Sequence, residues 1–175
     1  MIAMSMAPVR VVVGVGGGPR SVAVLRWAAY QAVRFDGELV AVHAYGAATQ
    51  AAPYAPAHAA PGPGGAAGRA LQLLDGCLQA AFDRHPPVPV HTVCDGRRPV
   101  QALLDYARGA ALLVVGSPAP LGQGGAVLGP TARDCLRNAP CPVVLLPATD
   151  SGCGHADLPR PATAGRPEAA PVPAP

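Results

Sequence analysis

Five short apolar runs alternate with segments of helical spacing, and this alternation constrains the fold more than any other feature of the chain. The runs are rich in valine and leucine and are continuous rather than alternating with polar residues: Val9–Val15, Leu39–Tyr45, Val88–Val93, Ala111–Val115 and Pro142–Leu146. Continuous runs of this length are typical of strands buried on both faces of a parallel sheet.

The segments between the runs each carry one apolar stripe at steps of three and four residues, which predicts amphipathic helices. The stripes are Val22, Leu25, Ala29, Ala32 and Val33; Leu71, Leu74, Leu78, Ala81 and Phe82; Val100, Leu103, Leu104 and Ala107; and Ala132, Cys135, Leu136 and Ala139. Pro19, Pro99 and Pro130 stand near three helix starts, where a missing N–H costs nothing. The string β-α-β-α-β-α-β-α-β predicts an α/β fold, a single doubly wound, Rossmann-like parallel sheet of five strands with helices on both faces.

Glycine and proline, 21 and 22 residues respectively, are enriched in two segments without helical or strand periodicity, which hold 17 of these 43 residues. Residues 46–66 are rich in Ala, Pro and Gly and are predicted to form a flexible loop, with a cover over a site as the alternative. Residues 148–175 contain few large apolar side chains and are predicted to form a disordered tail. The globular domain is therefore predicted to span residues 8–147.

The charged residues exclude several classes of function. All 13 basic residues are arginine, so neither a Walker-type phosphate loop nor Schiff-base chemistry is available. The net charge is only +3 and the arginines are scattered, so no nucleic-acid partner is expected.

The five cysteines include no C-x-x-C pair, and we expect neither a disulfide framework nor a metal site. No apolar run reaches 18 residues and no secretory signal is recognisable, so we expect a cytoplasmic protein without a membrane partner.

No catalytic constellation can be assembled from the sequence. The dinucleotide fingerprint G-x-G-x-x-G fails because its last glycine would fall on Pro19 or Ser21. Ser117 lacks the spacing of a nucleophile elbow. His43 lies within an apolar run, which favours a hydrogen-bonded core histidine over a catalytic one. We therefore expect a protein that is not an enzyme; a hydrolase or transferase that uses Ser117 or His43 is the weakest alternative.

One glycine cluster closes the first run and another follows the fourth run: Gly14, Gly16, Gly17 and Gly18, then Gly116, Gly122, Gly124, Gly125 and Gly129. In a sheet of the 2-1-3 type or of order 3-2-1-4-5, the first and fourth strands can flank the point where ligands bind, and we predict the order 3-2-1-4-5. Two glycine loops that open into one crevice would expose N–H groups suited to an anion. A tight strand-to-helix turn is the favoured explanation of the first cluster taken alone, whereas the segment from Ser117 to Gly129 is longer than a turn requires.

These segments resemble the universal stress protein family in order and spacing. The family's V-D-G-S-P-x-S is similar to Val15–Ser21, and its A-L-x-W-A to Val24–Ala28. The family's V-V-G-S is matched by Val114–Ser117 and its closing P-C-P-V by Pro140–Val143. Weaker matches are the histidine in Val42-His43-Ala44 and the helix start at Asp95–Pro99.

The resemblance also implies a nucleotide site, because nucleotide-binding members carry G-x2-G-x9-G-[ST] after the fourth strand. Carried over, the residues of that site are Gly16, Gly17, Val42, Gly116, Ala119, Gly122, Gly129, Pro130 and Thr131. Three of them depart from the family pattern. Gly16 stands in place of the aspartate at the adenosine end, Ala119 in place of the second glycine, and Pro130 in place of the hydroxyl residue, for which Thr131 is a substitute.

We therefore expect a non-enzymatic stress-response protein with a degenerate nucleotide crevice and no firmly held cofactor. The alternative is a functional switch that binds ATP with Mg²⁺ and hydrolyses it slowly or not at all. The resemblance further implies a homodimer in which the last strand, Val143–Leu146, pairs with its two-fold mate. Coverage of that edge by the proline-rich tail is the other interpretation.

Overall fold

Five strands alternate with four helices in the computed structural model, which describes residues 8–46, 65–82, 85–117 and 128–147. The elements of these ranges are β1 (Arg10–Gly14), α1 (Pro19–Arg34), β2 (Glu38–Ala44), α2 (Gly65–Phe82), β3 (Val90–Asp95), α3 (Pro99–Tyr106), β4 (Leu112–Gly116), α4 (Pro130–Asn138) and β5 (Val143–Leu146). Each strand falls on one of the five apolar runs and differs from it by at most two residues at either end.

The strands form one sheet in the order β3-β2-β1-β4-β5, and every neighbouring pair is parallel. Val13 in the central strand pairs with Ala41 of β2 on one side and with Val114 of β4 on the other. This arrangement confirms the predicted fold class and strand order. The carboxyl ends of β1 and β4 are therefore neighbours, while the chain leaves them toward opposite sides of the sheet.

Each face of the sheet is buried under one pair of helices. Side chains alternate along β1, so Val11 and Val13 pack beneath α1 and α2, whereas Val12 packs beneath α3 and α4. All three valines are completely buried. Continuous apolar runs were expected for this reason, since a strand covered on both sides has no solvent-facing position.

The helix starts agree with the sequence, and most predicted stripe members pack against the core, but one leucine in each of two stripes does not. Pro19, Pro99 and Pro130 are the first residues of α1, α3 and α4. In α2 the buried residues are Ala70, Leu74, Cys77 and Ala81. The predicted stripe members Leu71 and Leu136 are 55% and 46% exposed. Leu71 follows the buried Ala70, and Leu136 follows the buried Cys135, so each leucine lies about 100° around its helix from a buried residue. The prediction placed the larger leucine in the core, whereas the smaller neighbouring residue is buried.

The predicted loop at 46–66 is wrong at its carboxyl end, because α2 already begins at Gly65. Alanine favours helix there, and Gly65 has a φ of 56°, a left-handed conformation that favours glycine. At the other end, the Gly46 N–H donates to the carbonyl of Arg97 at 3.1 Å. The rest of the predicted loop and the predicted tail at 148–175 lie outside the described residues.

None of the helices in the described ranges combines the length and the apolar composition that crossing a membrane requires.

Candidate functional site

A cavity of about 420 Å³ opens at the carboxyl ends of β1 and β4. Gly16 and Gly17 line it from the segment after β1, and Gly116 lines it from the end of β4. The two predicted glycine turns therefore meet in one crevice. This is the place in an open α/β sheet where the connections diverge to opposite faces and leave room for a ligand.

The turn between β1 and α1 depends on glycine for its backbone shape. Gly17 and Gly18 have φ values of 96° and 76°, which a residue with a Cβ adopts only under strain. A Cβ on Gly17 would also lie 3.0 Å from a methyl carbon of Leu73. At Gly16, in contrast, φ is not positive and a Cβ would meet no atom within 4 Å. Position 16 therefore has open space for a side chain.

Hydrogen bonds anchor this turn to α1 and β2. The Ser21 hydroxyl accepts the Gly17 N–H at 2.8 Å and lies 3.1 Å from the Gly17 carbonyl. The Val15 N–H donates to the Val42 carbonyl at 2.8 Å. His43 Nδ1 lies 2.7 Å from the Val15 carbonyl, so its N–H donates there. His43 is thus a hydrogen-bonded, half-buried histidine that supports the turn.

The opposite side of the crevice is formed by the start of α4. Gly129 is the residue before the helix, with φ −56° and ψ 155°, a conformation open to any residue. Thr131 and Ala132 occupy the first turn, where backbone N–H groups have no acceptor within the helix. Pro130 contributes no N–H, so this helix start offers one amide fewer to an anion than it otherwise would.

The described lining is nearly free of charge. Arg20 is the one charged side chain among the described lining residues, and these include no carboxylate. Hydroxyl groups come from Ser21, Ser117 and Thr131. Within the described ranges, no group of three or more His, Cys, Asp and Glu side chains is arranged to hold a metal ion.

An apolar wall faces these polar groups. It is formed by β2 and α3 through Val42, Ala44, Pro99 and Leu103. Leu103 packs so closely on β1 that a Cβ at Gly14 would lie 3.2 Å from one of its methyl carbons. An apolar wall beside a few hydroxyl groups and one cation is the composition expected of a small-molecule pocket.

The turn that leads into α3 is held by an arginine between two aspartates. The Arg97 backbone N–H donates to Asp95 Oδ1 at 2.8 Å, and the Arg97 guanidinium donates to both Asp95 and Asp105. The hydrogen bond from Arg97 holds the pKa of the Asp95 carboxyl below its usual range. This network fixes the residues just before Pro99, which lines the crevice.

The cysteines of the described ranges are unsuited to nucleophilic chemistry. Cys77, Cys94, Cys135 and Cys141 are free thiols. Burial raises the pKa of all four, and burial together with the nearby Asp134 raises the pKa of Cys135 to about 11. These thiols stay protonated at neutral pH, and the thiolate is the reactive form.

Most of the residues expected at the site do line the crevice: Gly16, Gly17, Val42, Gly116, Gly129, Pro130 and Thr131. Ala119 and Gly122 lie outside the described residues. Sequence reasoning missed Arg20, Ser21 and Leu103 as lining residues. Arg20 occupies the variable position of the motif Val15–Ser21, and its place in the first turn of α1 was the available signal.

Comparison with known proteins agrees with this architecture. One solved structure, a universal stress protein in complex with cAMP, has a TM-score of 0.58 and 21% identity, over 81% of this chain and 98% of that one. A universal stress protein from Archaeoglobus fulgidus in complex with dAMP has a TM-score of 0.55 and 23% identity, over 80% and 98% of the two chains. A family protein from Arabidopsis thaliana with AMP bound has a TM-score of 0.55 and 17% identity, over 81% and 93%.

At these identities the solved structures establish the fold alone, and no curated protein matches the sequence. The family itself is shown by the sequence, since the model of the universal stress protein family matches residues 9–147. That match covers all the strands and helices described above. The chain belongs to the universal stress protein family.

Proposed function

We propose that this chain is a non-enzymatic stress-response protein whose crevice keeps the shape of a nucleotide site but binds ATP weakly. The observation that carries the proposal is Gly16, which lines the crevice where the family pattern has an aspartate. The space beside Gly16 is open. The crevice therefore has room for an aspartate carboxylate at this position, but glycine supplies none. The nucleotides in the solved relatives, cAMP, dAMP and AMP, support a nucleotide as the class of ligand.

Two substitutions account for the weak binding of ATP. Loss of a charged acceptor at Gly16 removes a hydrogen bond worth about 1.5–3 kcal/mol. Pro130 removes an amide donor and a hydroxyl from the start of α4. Each 1.4 kcal/mol corresponds to about tenfold in affinity, so the two losses together would shift a micromolar site toward millimolar.

The chemistry of the described lining also supports a role without turnover. General acid–base catalysis requires a positioned group that exchanges a proton near neutral pH. The described lining residues include no His, Cys, Asp or Glu side chain that could fill this role. The Nδ1–H group of His43 donates a hydrogen bond to the Val15 carbonyl and so supports the turn.

The described lining does not fit a divalent cation held by the protein. Mg²⁺ is bound through oxygen ligands, of which carboxylates are the usual protein contribution. The described lining offers neutral hydroxyl and backbone groups but no carboxylate. We therefore assign no step to Mg²⁺ in this crevice.

The alternative function, an ATP-binding switch with slow or no hydrolysis, is favoured by one observation. Thr131 lies in the crevice directly after Pro130. In that case the Thr131 hydroxyl and the loop amides would replace the groups missing at positions 16 and 130.

Equilibrium titration with fluorescently labelled ATP and Mg²⁺ separates the two functions. The degenerate crevice predicts no saturation below about 100 μM, which is near −5.5 kcal/mol. Saturation below that concentration would favour the switch and contradict our proposal. Release of phosphate above the buffer rate, lost when Ser117 or His43 is replaced by alanine, would contradict the non-enzymatic assignment.

We further propose a cytoplasmic homodimer joined through β5. The support is that β5 lies at one edge of the sheet and that its four residues are half-buried in the single chain. An apolar edge strand has unpaired N–H and C=O groups, and these favour pairing with a second copy.

A further inference from the structure

Helix α2 packs against the turn between β1 and α1 (residues 15–18, called the crevice turn below) without lining the cavity itself. Gly16 and Gly17 of this turn line the cavity, whereas α2 contributes none of the described lining residues. A Cβ on Gly17 would nevertheless lie 3.0 Å and 3.5 Å from the two methyl carbons of Leu73. The Leu73 side chain therefore lies against the backbone of Gly17 and supports it from outside the cavity.

Cys77, one helical turn after Leu73, contacts the next residue of the crevice turn. Burial raises the pKa of the Cys77 thiol, and a hydrogen bond from the Gly18 backbone N–H opposes that rise. Residues four apart share one face of a helix, so Leu73 and Cys77 present the same face of α2 to consecutive glycines. Since glycine leaves the backbone many accessible conformations, contacts of this kind have to fix the shape of the turn.

Arg26 of α1 holds the other end of α2. Its Nε donates to the Ala81 carbonyl at 2.9 Å, and its Nη2 donates to the Ala80 carbonyl at 2.9 Å. The last turn of α2 contains no basic residue of its own. Arg26 therefore supplies both the donors that the last carbonyls of a helix require and the positive charge that its C-terminus favours.

The crevice turn, α1 and α2 thus form a closed ring of contacts. Helix α1 begins at Pro19, directly after Gly18, and Arg26 connects it to the end of α2. A shift of α2 by one residue, about 1.5 Å along its axis, would separate the guanidinium from both carbonyls and move Leu73 away from Gly17. The position of α2 and the shape of the crevice turn are coupled for this reason.

We propose that α2 is a positioning element for the crevice turn, in which Leu73 holds Gly17 in place and Arg26 keeps α2 in register with α1. The crevice is therefore shaped at the end of β1 by two residues that lie outside its described lining. The proposal goes beyond the function proposed above, because it concerns the turn itself and holds for any ligand that the crevice accepts.

The test is amide hydrogen exchange at Gly17 and Gly18, followed by NMR spectroscopy of the full chain. Both N–H groups are hydrogen-bonded, that of Gly17 to the Ser21 hydroxyl at 2.8 Å. Leu73→Ala should accelerate exchange at both glycines by about tenfold, because local opening of the turn sets these rates. Leu73→Met keeps the side-chain volume and should keep the natural rates.

Leu78→Ala is the matched control on the same helix. Leu78, like Leu73, is a half-buried leucine packed against the core cluster beneath α1 and α2. This variant should lower the melting temperature but leave exchange at Gly17 and Gly18 unchanged, which separates positioning of the turn from general stability. Leu73→Val, which shortens the side chain less, repeats the comparison if Leu73→Ala does not fold.

A second pair of variants tests the register of α2. Arg26→Gln removes the donors to Ala80 and Ala81 and should accelerate exchange at Gly17 and Gly18 by about fivefold through α2. Arg69→Gln removes the same charge from an exposed position of α2 and should leave both rates unchanged.

Natural exchange rates at Gly17 and Gly18 in Leu73→Ala would overturn the proposal. Equal acceleration by Leu78→Ala would also overturn it, because the effect would then be a general loss of stability. Natural rates in Arg26→Gln would overturn the role of Arg26 in the register of α2. These outcomes are independent of nucleotide binding, so a failure of the function proposed above would leave them unchanged.

Discussion

Gly16 and Gly17 are adjacent residues of the crevice, but only one of the two positions needs glycine for its backbone conformation. Gly17 is needed for its positive φ, whereas Gly16 has an ordinary φ and open space beside it. The sequence predicted that both would lie at the site, but could not tell which one needs to be glycine. Backbone dihedral angles depend on how the turn packs against Leu73 and Ser21, and no local pattern contains that information.

Alanine substitutions separate the two glycines by stability. Gly17→Ala should lower the free energy of unfolding by about 1–3 kcal/mol, because a positive φ is strained in alanine. The clash with Leu73 adds to this cost. Gly16→Ala is the matched control and should change stability by less than about 0.5 kcal/mol. Urea unfolding of the two variants measures both values; equal stabilities would show that Gly17 is not constrained.

The Asp95 carboxyl makes stability depend on pH. Its pKa is lower in the folded chain because Arg97 donates hydrogen bonds to the ionised form. This stabilisation is therefore present above the unfolded-state value of about 3.9 and is lost as the pH falls through the folded-state value.

Asp95→Asn should accordingly be less stable than the natural chain at pH 7, and the difference should shrink as the pH is lowered below about 4. Urea unfolding at several pH values measures it. Asp105→Asn, which affects a more exposed partner of Arg97, should have a smaller effect. A constant difference between the natural chain and Asp95→Asn at all pH values would show that ionisation of Asp95 is not involved.

At the scale of elements, the strands were easier to predict than the faces of the helices. A strand buried on both sides needs only an apolar run, so β1, β2 and β4 fall where Val and Leu accumulate. A helix needs the right phase as well. In α2 the small residues Ala70 and Cys77 are buried while Leu71 is exposed, because the space between sheet and helix decides which residue fits.

The start of α4 offers a test at this scale. Pro130→Ser restores an amide donor and a hydroxyl at the first helical position, and each of these groups should tighten ATP binding by about two- to tenfold, the range for one neutral hydrogen bond. Pro130→Ala restores the amide alone, so the difference between the two variants gives the contribution of the hydroxyl. Calorimetry measures both; unchanged affinity in both would show that α4 does not contact the phosphates.

For the whole molecule, the predicted order 3-2-1-4-5 is one of the few orders that a doubly wound sheet adopts. It makes β1 and β4 neighbours, and their pairing confirms it. The assembly cannot be derived in the same way. Pairing of β5 with its two-fold mate depends on whether the surface around that strand is complementary to itself, and the four residues of β5 do not determine that surface.

A charged substitution in the edge strand tests the proposed dimer. Val144→Asp places a carboxylate on β5 and should convert a dimer into a monomer, because an inward-pointing charge opposes pairing of edge strands. Leu71→Asp, at an exposed position of α2, is the control and should leave the dimer intact. Light scattering coupled to size exclusion gives the mass; a monomeric natural chain, or a dimeric Val144→Asp, would contradict the proposed interface.

The most direct test of the degenerate crevice is a calorimetric titration of ATP with Mg²⁺ into the natural chain and into Gly16→Asp side by side. The new carboxylate enters open space and restores the missing acceptor, so Gly16→Asp should bind at least tenfold more tightly, in keeping with about 1.5–3 kcal/mol for a charged hydrogen bond. Equal affinities, or a natural chain that already binds ATP at low micromolar concentration, would contradict the loss of the nucleotide acceptor at position 16.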